Sequence, residues 1–255
     1  MKIYGEMGVN KYREMNDNRV VKGLRVLKRE GILIFGSRFL GYCNRSLLRI
    51  ISPLAVKILP RRYFNYNGSR LEYFQHPKNL VWTNERSIEI AIIMNYIHSS
   101  SAQNILEVGA VLPHYFPQFQ HDVVDKFEKN IGIINEDIIT FHPSTKYDLI
   151  VSISTLEHVG FEDDLKDSEG ILKAINNLKE NCLAEKGKMI LTLPIGYNKD
   201  VDWYLFNKRL GFSQEYYFKR KNVLNAWEEI SREEAKMIKF DGFSAKGIVI
   251  GIITS

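Results

Sequence analysis

The chain predicts an α/β fold built on a mostly parallel sheet, and two observations carry this. From Asn104 onward, short apolar runs alternate with helix-length segments, so that 104–108, 121–125, 131–135, 147–153, 188–193 and 247–254 read as strands. Such alternation implies parallel pairing through crossovers. The second observation is that two of these runs end on carboxylates. Asn104-Ile-Leu-Glu-Val-Gly-Ala110 closes on Glu107 and Gly109, and His121-Asp-Val-Val-Asp125 closes on an acid 18 residues after Glu107. In open parallel sheets, ligands sit outside the carboxyl ends of the strands. A glycine there admits close backbone approach, and an acid about 20 residues further on can bind ribose hydroxyls. The pattern points to an adenosine-type cofactor.

The remaining elements follow in order. Residues 11–60 look helical with interruptions. Val20, Val21, Leu24 and Leu27 make an apolar face among Lys22, Arg25, Lys28 and Arg29. Gly31 and Gly36 punctuate it; 38–59 resumes with Phe39, Leu47, Leu48, Ile50 and Ile51, broken at Pro53 and Pro60. Residues 63–80, rich in Tyr, Phe, Asn and Gly, read as a loop or hairpin. Thr83 or Asn84 can cap a helix from Glu85 to about Ser99, with Ile88, Ile92, Ile93 and Tyr96 inward. A second amphipathic helix spans 167–183 on Ile171, Leu172, Ile175, Leu178 and Leu183. Gly187 then precedes a buried strand, and the last strand, 247–254, is expected to pair with one near 215–220. The organisation expected is a basic helical extension and cap over 1–84, followed by a cofactor-binding domain over 85–255.

With 255 residues, 45% of them hydrophobic and 25% charged, the chain can bury a sizeable core, and disorder is not the reading. Cys43 and Cys182 make neither a disulfide framework nor a zinc site. The N-terminus lacks the charged-then-apolar signal pattern, and no uncharged apolar run approaches the roughly 18 residues of a membrane span. The expected location is cytoplasmic. The net charge of +5 is unevenly spread. Residues 19–62 hold eleven Lys or Arg against one acid, Glu30, about +10, while 1–18 balance to zero and the remainder is about −5. This basic segment has three readings: a helix packed on the main domain, a surface lying on the anionic inner face of a membrane near a lipid-linked substrate, or a nucleic-acid contact. Nucleic acid is not expected, because no RNA-binding module is present and charge alone is non-specific. No feature specifies an oligomeric state.

Five stretches taken together carry a family likeness: Ile105-Leu-Glu-Val-Gly109; Val123-Val-Asp125; Asn135-Glu-Asp-Ile-Ile-Thr-Phe141; Tyr147-Asp-Leu-Ile-Val-Ser-Ile-Ser-Thr-Leu-Glu-His-Val-Gly160; and Gly187-Lys-Met-Ile-Leu-Thr-Leu-Pro194. In order and spacing they resemble the motifs of class I S-adenosylmethionine-dependent methyltransferases, over roughly 85–255. The branch associated with surface-glycan biosynthesis has stretches similar to Tyr73-Phe-Gln-His-Pro77 and Trp82-Thr-Asn-Glu-Arg86. The resemblance implies a Rossmann-like sheet of seven mostly parallel strands with an antiparallel last strand. It also implies S-adenosyl-L-methionine as cofactor, and methyl transfer to an oxygen of a sugar or lipid-linked glycan. By the same resemblance, Glu107 and Gly109 lie beside the methionine end, Asp125 receives the ribose hydroxyls, Asp137 and Ile138 read and pack the adenine, and Ser152 and Ser154 lie near the reacting methyl. One departure stands out. Val111 occupies the position of the usual second glycine, so the Ala110–Pro117 loop is expected to take a different path from a glycine turn.

Candidate bases are His158, whose ordinary pKa of about 6.5 suits proton removal from a hydroxyl, and His114 in the cofactor loop. Glu157 and His158 have two other readings: metal ligands, which Ser154 in place of a first acid weakens, or the start of a helix at the pocket rim. Arg86, in the stretch expected to cap the pocket, and His76, in an extended or turn segment before Pro77, are substrate candidates beside a small-molecule or glycan acceptor. Tyr197, after the fifth strand, is a third; the aromatics of 197–218 are sugar-stacking groups or core. No metal is expected. Two rivals to the enzyme reading are a non-catalytic scaffold subunit of the same fold and a nucleotide-dependent oxidoreductase.

Overall fold

The computed structural model describes residues 46–163, 165–240 and 244–255. Val56–Ser255 forms one compact unit, so residues 56–84 pack with the sheet rather than apart from it. Of the N-terminal basic segment, 46–62 is described; the expectations for 1–45 lie outside the described residues. Residues 46–58 are helical (α1).

A hairpin follows, β1 (Tyr63–Tyr66) and β2 (Ser69–Glu72). Asn67 and Gly68 turn it with φ of 47° and 73°, the positive values that a two-residue turn between twisted strands requires. Helix α2 (Arg86–Ser99) then starts one residue later than the caps imply, with Asn84 Oδ1 accepting the Arg86 N–H at 3.1 Å.

The main sheet has the order β5-β4-β3-β6-β7-β10-β8-β9. Its strands are β3 (Ile105–Val108), β4 (Asp122–Val124), β5 (Ile133–Ile134), β6 (Tyr147–Ile153), β7 (Leu183–Pro194), β8 (Gln214–Arg220), β9 (Trp227–Ile230) and β10 (Gly247–Thr254). β3 to β7 pair in parallel, and β10 enters antiparallel between β7 and β8. This is the Rossmann-like class I methyltransferase fold expected above. The sheet gains an eighth strand, β9, which pairs antiparallel with β8 at the edge. Its Trp-Glu-Glu-Ile sequence carries no run long enough to announce a strand.

Strand alternation divides the core between the two faces. Leu149, Val151 and Ile153 of β6 and Ile248, Ile250 and Ile252 of β10 face α2 and the hairpin, whose Ile88, Ile92, Phe64 and Tyr66 are buried there. Ile150, Val249 and Ile253 face the other layer, α3 (Gly170–Asn177) and α4 (Lys199–Phe206). The helix expected over 167–183 is thus shorter. It ends in a wide turn, Leu178–Cys182, and Leu183 already belongs to β7. Among the described residues no α-helix connects β3 to β4, β4 to β5 or β5 to β6. Turns do this, which leaves the carboxyl ends of β3 and β4 beneath loops. The late aromatics divide: Tyr217 and Phe218 are core, Trp203 is 56% exposed, and Tyr197 lies at the site described next.

Candidate cofactor and acceptor site

A cavity of about 380 Å3 opens outside the carboxyl ends of β3 and β4, bordered by the turn that follows β6. β4 lies on one side of β3 and β6 on the other, so this is the switch point where open parallel sheets bind ligands. Its lining includes Val108, Gly109, Asp125, Lys126, Asp137, Ile138, Thr155 and His158.

Gly109 has φ +89°, and a Cβ on it would lie 2.2 Å from Thr155 Oγ1. Only glycine serves here, on both conformational and steric grounds. Glu107 does not line the cavity. Its carboxylate is fully buried, with Oε1 accepting the N–H groups of Val111 (2.9 Å) and Leu112 (2.8 Å) and Oε2 2.7 Å from His121 Nε2. In place of the expected contact with the methionine end, Glu107 makes an internal one and shapes the loop that borders the cavity. The Val111 departure is explained in the same way. Val111 has φ −97°, heads a tight turn over Leu112–His114, and packs toward the α2 layer. Nothing there requires a glycine. Val111→Gly is expected to leave cofactor affinity within about twofold, since the Glu107 bond to the backbone persists. Calorimetric titration checks this, and a large gain would mean that Val111 obstructs the site.

Asp125 borders the cavity from the end of β4. Its Oδ1 accepts the N–H groups of Phe127 (2.8 Å) and Glu128 (2.9 Å), and Oδ2 accepts from Ala110 (3.1 Å). The turn is fixed through Oδ1, and Oδ2 keeps a lone pair for a ligand hydroxyl. Ile138, 6% exposed, supplies an apolar wall. Asp137 beside it accepts from the Ile139 N–H at 3.0 Å and pairs with Lys126 at 2.9 Å. Burial pushes this carboxyl up, but the Ile139 N–H and Lys126 outweigh it and hold it below the usual range. Lys126 also reaches Asp163 at 3.0 Å, so its ammonium spans two walls of the cavity. The sequence reading missed Lys126, although it follows Asp125 directly.

The serines expected near the methyl turn away. Ser152 is buried and donates to the Val108 carbonyl at 3.1 Å, which ties β6 to β3. Ser154, with φ +40°, donates to Glu89 of α2. Glu89 is fully buried; it also accepts from Thr192 at 2.8 Å and pairs with Arg86 at 2.6 Å. Arg86 therefore does not line the cavity. Burial works against its charge, but Glu89, then Glu85 and Glu157, hold its pKa above the ordinary value. Of the acids in this cluster Glu89 was missed, because it lies inside an otherwise apolar helix.

His158 and Tyr197 do come together. His158 lines the cavity, its Nδ1 lying 3.1 Å from Glu162 Oε1 and 3.2 Å from the Tyr197 hydroxyl. Tyr197 donates to Glu162 at 2.6 Å, and burial followed by that carboxylate raises its pKa. A histidine whose Nδ1 is engaged by a carboxylate presents Nε2 as the free base. His158 sits in a tight turn, Leu156–His158, rather than at a helix start. His114 and His76 lie elsewhere. His114 is 3.4 Å from Lys78 Nζ, and His76 stacks on Phe74 at 6.0 Å, both beside Tyr115 and neither lining this cavity.

No protein-family model matches the chain, and no curated protein matches it. Solved structures similar to it include the N-methyltransferase NodS from Bradyrhizobium japonicum WM9 in complex with S-adenosyl-L-homocysteine, at 15% identity and TM-score 0.44, over 67% of this chain and 87% of that one. A S-adenosylmethionine-dependent methyltransferase from Clostridium acetobutylicum is similar at 14% identity and TM-score 0.35, over 64% and 89%. The glycopeptide N-methyltransferase MtfA is similar at 10% identity and TM-score 0.39, over 68% and 91%.

Proposed function

We propose that the chain transfers a methyl group from S-adenosyl-L-methionine to a hydroxyl oxygen of a sugar or lipid-linked glycan. One observation carries the reading: Gly109, Asp125, Asp137 and Ile138 converge with His158 on one cavity at the switch point of the sheet. The residues fit an adenosine group. Oδ2 of Asp125 meets ribose hydroxyls, Ile138 packs against the base, and Asp137 accepts from an exocyclic amine by sharing or displacing Lys126. When bound, the cofactor supplies an activated methyl. The protein has to hold the acceptor in line and remove its proton. His158 Nε2 takes that proton, with Glu162 and Tyr197 orienting the ring. The sugar class is supported by the likeness of 73–77 and 82–86 noted above and by a base suited to hydroxyls.

The test is incubation with isotopically labelled S-adenosyl-L-methionine and a panel of sugar and lipid-linked glycan acceptors, with label transfer followed by mass spectrometry. A positioned base contributes roughly 10²–10⁴ in rate. His158→Asn is therefore expected to lower kcat by about 10²-fold or more while cofactor affinity is retained. Unchanged kcat would remove His158 from the chemistry.

Contact with an anionic membrane belongs to the same proposal. On α1, Leu47, Ile50, Leu54 and Ile58 are 57–77% exposed and share one helix face, with Arg49 and Lys57 nearby. Among the described residues no helix is long and apolar enough to cross a membrane. An interfacial helix of this kind holds the protein to anionic vesicles, and basic groups near the surface add about 1 kcal/mol each. Co-sedimentation is expected to fall with salt and with Arg49→Gln and Lys57→Gln. No recovery on vesicles at low salt would refute the contact.

A further inference from the structure

Among the described residues of Val56–Ser255, the buried carboxylates are matched by donors, with one exception. Glu107 is filled by two N–H groups and His121, and Glu89 by Arg86, Ser154 and Thr192. Glu157 is 1% exposed, yet its Oε2 has no hydrogen-bond partner among the described residues. Its other oxygen lies 3.6 Å from His158 Nε2, too far for a hydrogen bond, and His158 lines the cofactor cavity.

The surroundings are rich in negative charge. Glu89 faces this carboxyl from α2 together with Arg86; Glu162 and His158 face it from the segment that follows β6, and Tyr197 from the end of β7. Arg86 is already held by Glu89 at 2.6 Å, and Arg220 pairs with Glu85 at 3.4 Å. Glu85, Glu89 and Glu157 thus all act on the Arg86 guanidinium, which Glu89 already holds. A buried carboxylate in such a place loses its charge unless a cation arrives. Burial, with Glu89 and Glu162 adding to it, pushes the Glu157 carboxyl up to about 8 against the pull of its own backbone N–H and Arg86.

We propose that Glu157 is a subsite for a buried cationic group of a ligand, a protonated amine or a sulfonium, which takes the place of the carboxyl proton. The inference rests on the methyltransferase reading and deepens it. The cation comes either from the cofactor, which carries both an ammonium and a sulfonium, or from an amino sugar as acceptor. In either case binding near neutral pH ejects a proton: carboxylic acid and free cation become a carboxylate–cation pair and a solvent proton.

Isothermal titration in two buffers of different ionisation enthalpy measures the protons released. The probes are S-adenosyl-L-methionine, S-adenosyl-L-homocysteine, glucosamine and N-acetylglucosamine, each against the wild type and Glu157→Gln. At pH 7 the wild type is expected to release about one more proton than the variant with at least one cationic probe, and no more than the variant with N-acetylglucosamine. An excess with S-adenosyl-L-methionine alone assigns the sulfonium, with both cofactor forms the ammonium, and with glucosamine alone the acceptor amine. Equal release by wild type and variant for every probe overturns the assignment. The wild type also supplies a check that needs no variant. Its release with the assigned probe should fade as the pH rises past about 8, where Glu157 is already ionised, and a release constant up to pH 9 overturns the assignment. If neither cofactor form binds, the methyltransferase reading fails by itself, and the glucosamine arm still decides the role of Glu157.

Discussion

Glu107→Ala is expected to destabilise the protein by roughly 3–5 kcal/mol, the cost of removing one partner from a buried charged network. The carboxylate holds two N–H groups of the loop after β3 and the His121 ring, and its own side chain is fully buried. Alanine leaves those donors without an acceptor and opens a void beneath the loop. Glu107→Gln keeps an acceptor for Val111 and Leu112 and is expected to lose less than half as much. Denaturant unfolding of both variants checks the ordering. If the two lose equally, the backbone bonds are not what Glu107 contributes, and its pairing with His121 carries the stability.

Gly109→Ala is expected to cost about 2–5 kcal/mol and to abolish cofactor binding. Two penalties combine. A left-handed backbone with a Cβ costs about 1–2 kcal/mol, and overpacking against Thr155 adds about 1–3 kcal/mol. The approach to Thr155 Oγ1 would be 2.2 Å, so the turn after β6 must move, and that turn carries His158. Thr155→Gly in the same chain removes the clash and leaves the conformational cost. The double variant is therefore expected to recover a measurable part of the lost stability. Additive losses would show that the clash is relieved some other way.

How far the site was legible depends on what kind of signal each residue carries. Gly109 and Asp125 stand at strand ends, where the chain's periodicity stops, and the structure brings both to one cavity with Asp137, Ile138 and His158. The strand pairing was legible for the same reason: β6 and β10 are long apolar runs, buried on both faces. Glu107, Ser152 and Ser154 were placed by position within motifs, and position does not tell which way a side chain turns. Each of them bonds inward, to the β3 loop, to β3 itself and to α2. Glu89 is the opposite case. Its partners Ser154 and Thr192 are 65 and 103 residues away in sequence, and no local pattern announces such a meeting. Lys126 and Glu162 gain significance only from the loops that bring Asp137 and His158 to them. Strand β9 was hidden because its edge position needs no apolar run, only the β8 backbone to pair with.

The account stands or falls on whether the cavity at the ends of β3 and β4 holds the cofactor through Asp125. Calorimetric titration with S-adenosyl-L-homocysteine measures this directly, with Asp125→Asn as the comparison. Asparagine retains an oxygen for the Phe127 and Glu128 N–H groups and loses the charged acceptor that borders the cavity. A charge-assisted hydrogen bond is worth about 1.5–3 kcal/mol. The wild type is expected to bind one equivalent, and the variant, which also loses the acceptor for the Ala110 N–H, at least tenfold more weakly while it still unfolds in one cooperative transition. No binding by the wild type, or equal affinity in a folded variant, would contradict the assignment of this cavity to the cofactor.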